Sequence, residues 1–127
     1  MSNRRALVAE DSLMILLGLE MLLEQHGVTI VGPASTVAEA LALAQGGDAE
    51  IAILDVNLHD EMSFPVADLL IERGVPVIFT TGYAPGETLP PRFQGVPVLQ
   101  KPYDSKKLLD LVDQAFLSVK AGQGACP

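Results

Sequence analysis

Hydrophobic and polar positions alternate along the chain in a way that predicts short strands separated by helices. Five apolar runs that favour strands begin at nearly even spacing, near Ala6, Val28, Ile51, Val75 and Val96. Most of the segments between them repeat apolar residues at three and four positions, the period of a helix packed on one side. Several runs are continuously apolar, as strands covered on both faces are. This pattern predicts an α/β domain with a parallel sheet between two helical layers.

Local signals mark the ends of the first two helices. The first is predicted over about Leu13 to His26, and Gly27 suits the left-handed backbone that follows a helix. The second is predicted to begin at Thr36, with Glu39 three residues on as in a capping box. Met14 and Met21 lie on the first helix, which is apolar nearly all round, so both are expected in the core.

Two further helices are predicted in the second half of the chain. One has Pro65 in its first turn, where proline is well tolerated, and stops at Gly74. The last covers about Ser105 to Lys120 and has a clear apolar face.

The segment between them, residues 83–95, does not favour regular structure. It contains three prolines and two glycines, which oppose a stable helix. We interpret it as a mobile loop with at most a short turn, anchored by the apolar side chains of Tyr83, Leu89 and Phe93.

Length and composition fit one domain. The chain has 127 residues, of which 49% are hydrophobic and 19% charged. Residues 5–119 are expected to form the core of a single domain without an output domain, and residues 121–127 a flexible tail. Glu20 and Glu24 interrupt the best apolar run before it reaches the roughly 18 residues that span a bilayer, so membrane insertion is not expected.

The charge of the chain argues against nucleic acid as a partner. Sixteen Asp and Glu residues outnumber eight Lys and Arg, and the formal charge is −8 at pH 7. The basic residues are scattered, whereas binding to a phosphate backbone needs them clustered. Cys126 has no second cysteine with which to form a disulfide, which fits a reducing cytoplasm.

Polar residues follow the apolar runs at the ends that a parallel sheet brings together. These residues are Glu10, Asp11, Asp55, Thr81 and Lys101. Ligands bind at the carboxyl edge of such a sheet. Neighbouring carboxylates raise each other's pKa unless a cation compensates, and a few oxygen ligands with room for water favour Mg²⁺. The three carboxylates, with a lysine and a threonine hydroxyl beside them, suit the transfer of a phosphoryl group to a carboxylate.

These residues resemble those of the receiver domain of two-component response regulators. The match rests on Glu10-Asp11, Asp55, Thr81-Gly82 and Lys101-Pro102. The run from Phe79 to Tyr83 is similar to the single-domain receivers with a Phe-Ala-Thr-Gly-type motif, in which the fourth helix is weak or replaced by a loop. The resemblance implies a flavodoxin-like (βα)5 fold with a five-stranded parallel sheet in the order 2-1-3-4-5.

The resemblance also implies a role for each site residue. Asp55 would accept the phosphoryl group, and Thr81 and Lys101 would contact it. A Mg²⁺ ion would be held by four groups: the carboxylates of Asp11 and Asp55, Glu10 through water, and the backbone carbonyl of Asn57. The implied function is a signalling switch that receives its phosphoryl group from a sensor histidine kinase or a phosphotransfer protein and acts on a downstream protein. The Lys101-Pro102 bond is expected to be cis.

Two positions depart from the commoner receivers. Val98 stands three residues before Lys101, where most receivers carry a switching Tyr or Phe, so their threonine–aromatic coupling cannot operate in its usual form. The loop after Asp55 reads Leu58-His-Asp-Glu-Met62, without the usual Met-Pro and following Gly. His59 in this loop is expected to be a solvated residue.

Two other functions are compatible with the same residues. One is a phosphohydrolase with Asp55 as nucleophile, although Asn57 stands where such enzymes usually carry a second acid. The other is a pseudo-receiver that binds a partner without being phosphorylated.

Overall fold

Five parallel strands form the sheet that the hydrophobic pattern predicts. The computed structural model describes residues 4–82 and 89–125, with side chains up to Val119. Within these residues the strands of the sheet are β1 (Arg4–Ala9), β2 (Val28–Ala34), β3 (Ile51–Asp55), β6 (Val77–Thr81) and β7 (Val98–Gln100). Two shorter strands, β4 (Asn57–Leu58) and β5 (Glu61–Met62), form a separate antiparallel hairpin. The order β2-β1-β3-β6-β7 confirms the predicted order 2-1-3-4-5, because β6 and β7 are the fourth and fifth strands of the sheet.

Helices cover both faces of the sheet. In the described part of the chain they are α1 (Leu13–Gln25), α2 (Val37–Gly46), α3 (Phe64–Glu72) and α4 (Ser105–Ala125). Successive strand residues point to opposite faces. Leu54 and Phe79 therefore pack with α2 and α3, while Ile53 and Ile78 pack with α1 and α4. The predicted layers are confirmed.

The helix ends follow their sequence signals, with one difference in the capping box. Gly27 and Gly74 both take left-handed backbone, with φ of 81° and 79°. The Thr36 hydroxyl accepts the Glu39 N–H at 3.1 Å, as predicted. The Glu39 carboxylate, however, accepts the N–H of Ser35 at 2.9 Å, not that of Thr36. Ser35 offers its hydroxyl to the same oxygen at 3.1 Å, which favours the displaced contact.

The last helix is longer than predicted. It continues to Ala125, so the predicted end near Lys120 is wrong, and residues 121–125 of the predicted tail are helical. Residues 121–125 contain two glycines, which disfavour helix and account for the earlier predicted end, but no proline interrupts the chain before Pro127. The final two residues of the predicted tail lie outside the described part of the chain.

The described part of the crossover between β6 and β7 is anchored on α3. Tyr83 lies outside the described residues, and residues 89–95 contain one 3-10 turn, Pro91–Phe93. Phe93 is buried, and its ring centroid lies 5.4 Å from that of Phe64 and 5.3 Å from that of Phe79. Leu89 packs against the same side of the core.

Beside the Phe93 ring, Arg92 binds α3 at the protein surface. Its guanidinium group donates two hydrogen bonds to the Asp68 carboxylate, at 2.8 and 3.1 Å. It also lies 4.6 Å from the centroid of the Phe93 ring. The end of the crossover is thus held by the buried Phe93 ring in the core and by the Arg92–Asp68 ion pair at the surface.

We expect Phe93→Ala to lower the free energy of unfolding by about 3 to 5 kcal/mol, because it leaves a cavity beside the rings of Phe64 and Phe79. Leu117→Ala is the control, since Leu117 is exposed on α4 and its truncation should change stability by less than about 0.5 kcal/mol. Chemical denaturation measures both. Equal effects of the two substitutions would contradict the buried anchor.

Candidate functional site

Three carboxyl groups meet at the carboxyl edge of the sheet. Oxygens of Glu10, Asp11 and Asp55 all lie within 4.8 Å of one another. Ala9 of β1 pairs with Leu54 of β3, so the residues that follow them, Glu10 and Asp55, emerge side by side. Glu10 and Asp55 are 2% and 5% exposed, while Asp11 lies at the rim of the site. The structure therefore brings together the three acidic residues singled out in the sequence.

Lys101 places its ammonium group between two of these carboxylates. Its Nζ lies 2.7 Å from Oδ2 of Asp55 and 2.8 Å from Oε1 of Glu10. The Lys101 N–H donates to the carbonyl of Thr81 at 2.7 Å, which continues the pairing of β6 with β7 beyond the end of β7. The Lys101-Pro102 bond is cis, as expected.

Burial and charge together shift the pKa of both partners. Burial raises the pKa of Asp55 from its ordinary value of 3.8 to about 6, and the nearby charge of Glu10 adds to this, while the hydrogen bond from Lys101 opposes it. Burial alone would lower the pKa of Lys101, but its hydrogen bonds to Asp55 and Glu10 outweigh burial and raise it. A site in which three carboxyl groups face this ammonium group favours a further cation.

The oxygen ligands fit a hard divalent cation. Two of the three carboxylates are buried, and the site opens at Asp11, where water ligands have access. Such a set suits Mg²⁺, which binds few carboxylates and keeps several waters. Asn57, the predicted source of a carbonyl ligand, follows Asp55 by two residues and lies beside the site, with its N–H 3.4 Å from Oδ1 of Asp55.

The two threonines that end β6 occupy different environments. Thr80 is buried and pairs with Asp55 in the sheet. Thr81 is partly exposed at the carboxyl edge, directly before Gly82. Its position suits the predicted contact with a phosphoryl group better than that of Thr80.

The loop after Asp55 is a β-hairpin, which the sequence analysis did not predict. Asn57 pairs with Met62 and Leu58 with Glu61. The turn residues, His59 and Asp60, both take left-handed backbone, with φ of 49° and 66°. A local signal existed, because histidine and aspartate accept this conformation more readily than most side chains, but Asn-Gly is the far stronger hairpin signal.

A backbone N–H of this hairpin and the hydroxyl of the residue that follows its second strand contact the site. The side chain of His59 is exposed, as expected of a loop residue, but its N–H donates to Oδ2 of Asp11 at 2.9 Å. Ser63, which sequence analysis did not single out, is fully buried, and its hydroxyl donates to the backbone carbonyl of Asp55 at 2.7 Å. A buried serine directly before a helix gives no sign in the sequence that its partner is a strand.

An apolar surface beside the site contradicts one prediction. Met14 and Met21, expected in the core, are 86% and 61% exposed. An outer-layer helix buries one side only, and α1 buries the side of Leu16, Leu19 and Leu23. The opposite side forms an exposed surface that we call the α1 apolar face, made of Leu13, Met14, Leu17 and Met21.

A groove connects this face with the site. It has a volume of about 720 Å³ and runs between α1 and the segment after β7. Among the residues that line it are Met14, Gly18, Met21, Lys101 and Tyr103. Because Lys101 also binds Asp55, a partner seated in the groove would lie directly beside the acidic site.

The order of the sheet and the charged groups at its carboxyl edge define a receiver-type α/β domain. Residues 6–113 match the model of the response regulator receiver domain, and the chain belongs to that family. No helix in the described residues is long and apolar enough to span a membrane.

Two curated relatives are regulators. The chain is 34% identical to the phyllosphere-induced regulator PhyR of Methylorubrum extorquens over 117 residues, which cover 87% of this chain and 42% of that protein. It is 30% identical to the transcriptional regulatory protein PdtaR of Mycobacterium tuberculosis over 82 residues, 64% of this chain and 40% of that protein. The chain thus spans about two fifths of these relatives. Both names describe regulators, and neither describes a phosphohydrolase.

Two solved structures are similar over almost the whole chain. The solution structure of SdrG from Sphingomonas melonis Fr1 is 39% identical, with a TM-score of 0.76 over 94% of this chain and 98% of that one. The response regulator PhyR from Brucella abortus is 28% identical, with a TM-score of 0.81 over 98% of this chain and 52% of that one.

In the metal-free domain, we expect the Asp55 carboxyl to titrate near pH 6 in carbon-13 NMR, and its pKa to fall when Mg²⁺ is added. Since the folded-state pKa lies above the unfolded value, the free energy of unfolding should decrease as the pH rises from about 4 to about 6. Asp55→Asn should lack this decrease, whereas Asp60→Asn, at the exposed hairpin turn, should keep it. Titration of Asp55 near pH 4 would contradict the expectation.

Proposed function

We propose that this domain is a phosphorylation-activated switch in which Asp55 accepts a phosphoryl group from the phosphohistidine of a sensor histidine kinase or a phosphotransfer protein. The observation that carries the proposal is the position of the Lys101 ammonium, shared between Asp55 and Glu10 with Asp11 alongside. A lysine held against a buried carboxylate is well placed to bind the oxygens of a phosphoryl group that arrives there.

The transfer exchanges one bond to phosphorus for another. An oxygen of the Asp55 carboxylate attacks the phosphorus, and the phosphorus–nitrogen bond of the donor breaks, with its electron pair passing to the imidazole nitrogen. The product is an acyl phosphate on Asp55. The Lys101 ammonium and the Thr81 hydroxyl then pair with phosphoryl oxygens. With a pKa of about 6, Asp55 is mainly ionised at neutral pH, as a nucleophile must be.

The acidic cluster would hold Mg²⁺ during this reaction. Asp11 and Asp55 would ligate the ion directly, Glu10 through water, and Asn57 through its carbonyl. When bound, the ion would neutralise negative charge on the phosphoryl oxygens. Weak affinity is expected, because a few carboxylates replace only part of a tightly held hydration shell.

The phosphorylated domain would act on a downstream protein or pass the phosphoryl group on. A new dianionic group beside Thr81 changes the charge at the end of β6, from which the crossover to Phe93 departs. Val98, half-exposed at the sheet edge, cannot supply an aromatic switch. The crossover is therefore the surface expected to change. We propose a cytoplasmic location, because a reducing compartment suits the unpaired Cys126.

The phosphoryl donor would bind the α1 apolar face. Such a protein must bring its phosphohistidine to Asp55, and the groove from Met14 and Met21 leads to Lys101 at that site. Exposed apolar clusters of this kind mark sites of protein contact. A donor helix with its own apolar side, carrying the phosphohistidine at its edge, fits both features.

Asp55→Asn should abolish phosphorylation, because an amide is a poor nucleophile of nearly the same volume. Intact mass after incubation with acetyl phosphate and Mg²⁺ measures the adduct, which should be labile to base. Asp60→Asn, five residues away on the same loop, should be phosphorylated as the natural chain is. Stoichiometric modification of Asp55→Asn would refute the assignment, and failure to modify the natural chain would favour the pseudo-receiver.

The double substitution Met14→Ser and Met21→Ser should slow transfer from a phosphohistidine donor by about tenfold or more, since truncation of the central anchors of an interface costs about 2 kcal/mol or more. Phosphorylation by acetyl phosphate should be unchanged, because the small donor needs no docking. Leu117→Ser, equally exposed on α4, is the control. Equal slowing with both donors would show damage to the site instead.

A further inference from the structure

We propose that Ser63 is a positioning residue for the phosphoryl-accepting site. Through its hydroxyl and through the hairpin that it closes, it sets the positions of the Asp55 and Asp11 carboxylates relative to each other. We call residues 56–63 the acceptor hairpin. The inference rests on the proposed function of Asp55, which it deepens by naming a group that does not touch the phosphoryl group.

Ser63 contacts two consecutive carbonyls of the chain that leaves the acceptor. Its hydroxyl donates to the carbonyl of Asp55 at 2.7 Å, and its N–H donates to the carbonyl of Val56 at 2.9 Å. The side chain is fully buried. Without the hydroxyl, the Asp55 carbonyl would lose this partner in a place where water cannot readily replace it.

The hydroxyl makes this contact instead of the one that its position favours. Ser63 precedes α3 at the N-cap, where a serine oxygen usually accepts an N–H from the first turn. Here it forms no such bond, and its backbone, with φ of −84° and ψ of 11°, lies outside the extended region usual for that position. The helix begins on the Ser63 carbonyl, which accepts the N–H groups of Val66 and Ala67 at 3.0 and 3.2 Å. The Ser63 hydroxyl therefore binds the Asp55 carbonyl instead of capping α3.

The contact immobilises the peptide group that follows the acceptor. The N–H of Val56 donates to the carbonyl of Thr80 at 2.8 Å, while the carbonyl of the same peptide group accepts the Ser63 hydroxyl. A planar peptide held at both ends fixes the backbone rotation at Asp55. The direction in which the Asp55 side chain leaves the strand toward Lys101 is fixed with it.

The same residue controls the approach to Asp11. The bond from Ser63 to Val56 closes the base of the acceptor hairpin, and the strand pairs above it lead to the turn. At the turn, the His59 N–H binds Oδ2 of Asp11 at 2.9 Å. One hairpin thus contacts Asp55 at its base and Asp11 at its tip.

Ser63→Ala and Ile51→Val separate positioning from stability. Ile51 is buried at the opposite end of β3, so its substitution should destabilise the domain without reaching the site. We expect Ser63→Ala to weaken Mg²⁺ binding by about tenfold, as loss of groups that orient metal ligands does. The His59 amide should also exchange faster with solvent. NMR measures the Mg²⁺ affinity and the His59 exchange rate without any phosphoryl donor. As a third effect, phosphorylation of Ser63→Ala by acetyl phosphate at saturating Mg²⁺ should be slower.

Ser63→Thr, which keeps a hydroxyl, should restore Mg²⁺ affinity toward that of the natural chain. Ser63→Gly is the second removal variant, used should Ser63→Ala fail to fold, because glycine is tolerated at a helix N-cap. If the folded removal variant matches Ile51→Val in Mg²⁺ affinity and in His59 exchange, the proposal is wrong. Failure of acetyl phosphate to modify the natural chain counts instead against the role of Asp55, because the first two measurements do not depend on it.

Discussion

The Lys101 ammonium group, 2.7 Å from Asp55 and 2.8 Å from Glu10, is the contact on which the carboxyl edge of the sheet depends. It joins the ends of β1, β3 and β7, three strands that are not all neighbours in the sheet. Two buried carboxylates without this cation would repel each other in a medium that screens charge poorly. The same contact leaves the site with more acidic than basic groups, and this imbalance makes it receptive to a divalent cation.

Around this contact, the sheet supplies rigid backbone and the loops supply the variable parts. Strand register fixes where Glu10, Asp55 and Thr81 emerge, since each follows or ends a strand buried on both faces. The acceptor hairpin then adjusts the backbone that leaves Asp55, while the crossover to Phe93 is held on α3 by aromatic packing and by Arg92. Under the proposed function, chemistry and signalling would thus belong to two different loops that share one edge of the sheet.

The sequence predicted the features that depend on short-range patterns. Continuous apolar runs located the strands, and Gly27 and Gly74 located helix ends. The polar residues after the runs predicted which side chains meet at the carboxyl edge of the sheet. Features that depend on tertiary packing could not be predicted from the sequence. Met14 and Met21 are as apolar as core residues. They are exposed because α1 packs its other side against the sheet. The partner of the Ser63 hydroxyl likewise follows from tertiary placement.

Under the proposed function, the α1 apolar face affects how the domain would select its phosphoryl donor in a solution of salt and other phosphate compounds. The chain carries a formal charge of −8, so small anionic phosphate compounds are repelled by the molecule as a whole. Dissolved ions screen that repulsion over a Debye length of roughly 8 Å at physiological ionic strength, but they do not screen the burial of methionine and leucine side chains. Under the proposed function, an uncharged docking surface would therefore give a protein donor an advantage over small phosphate compounds that does not depend on the salt concentration.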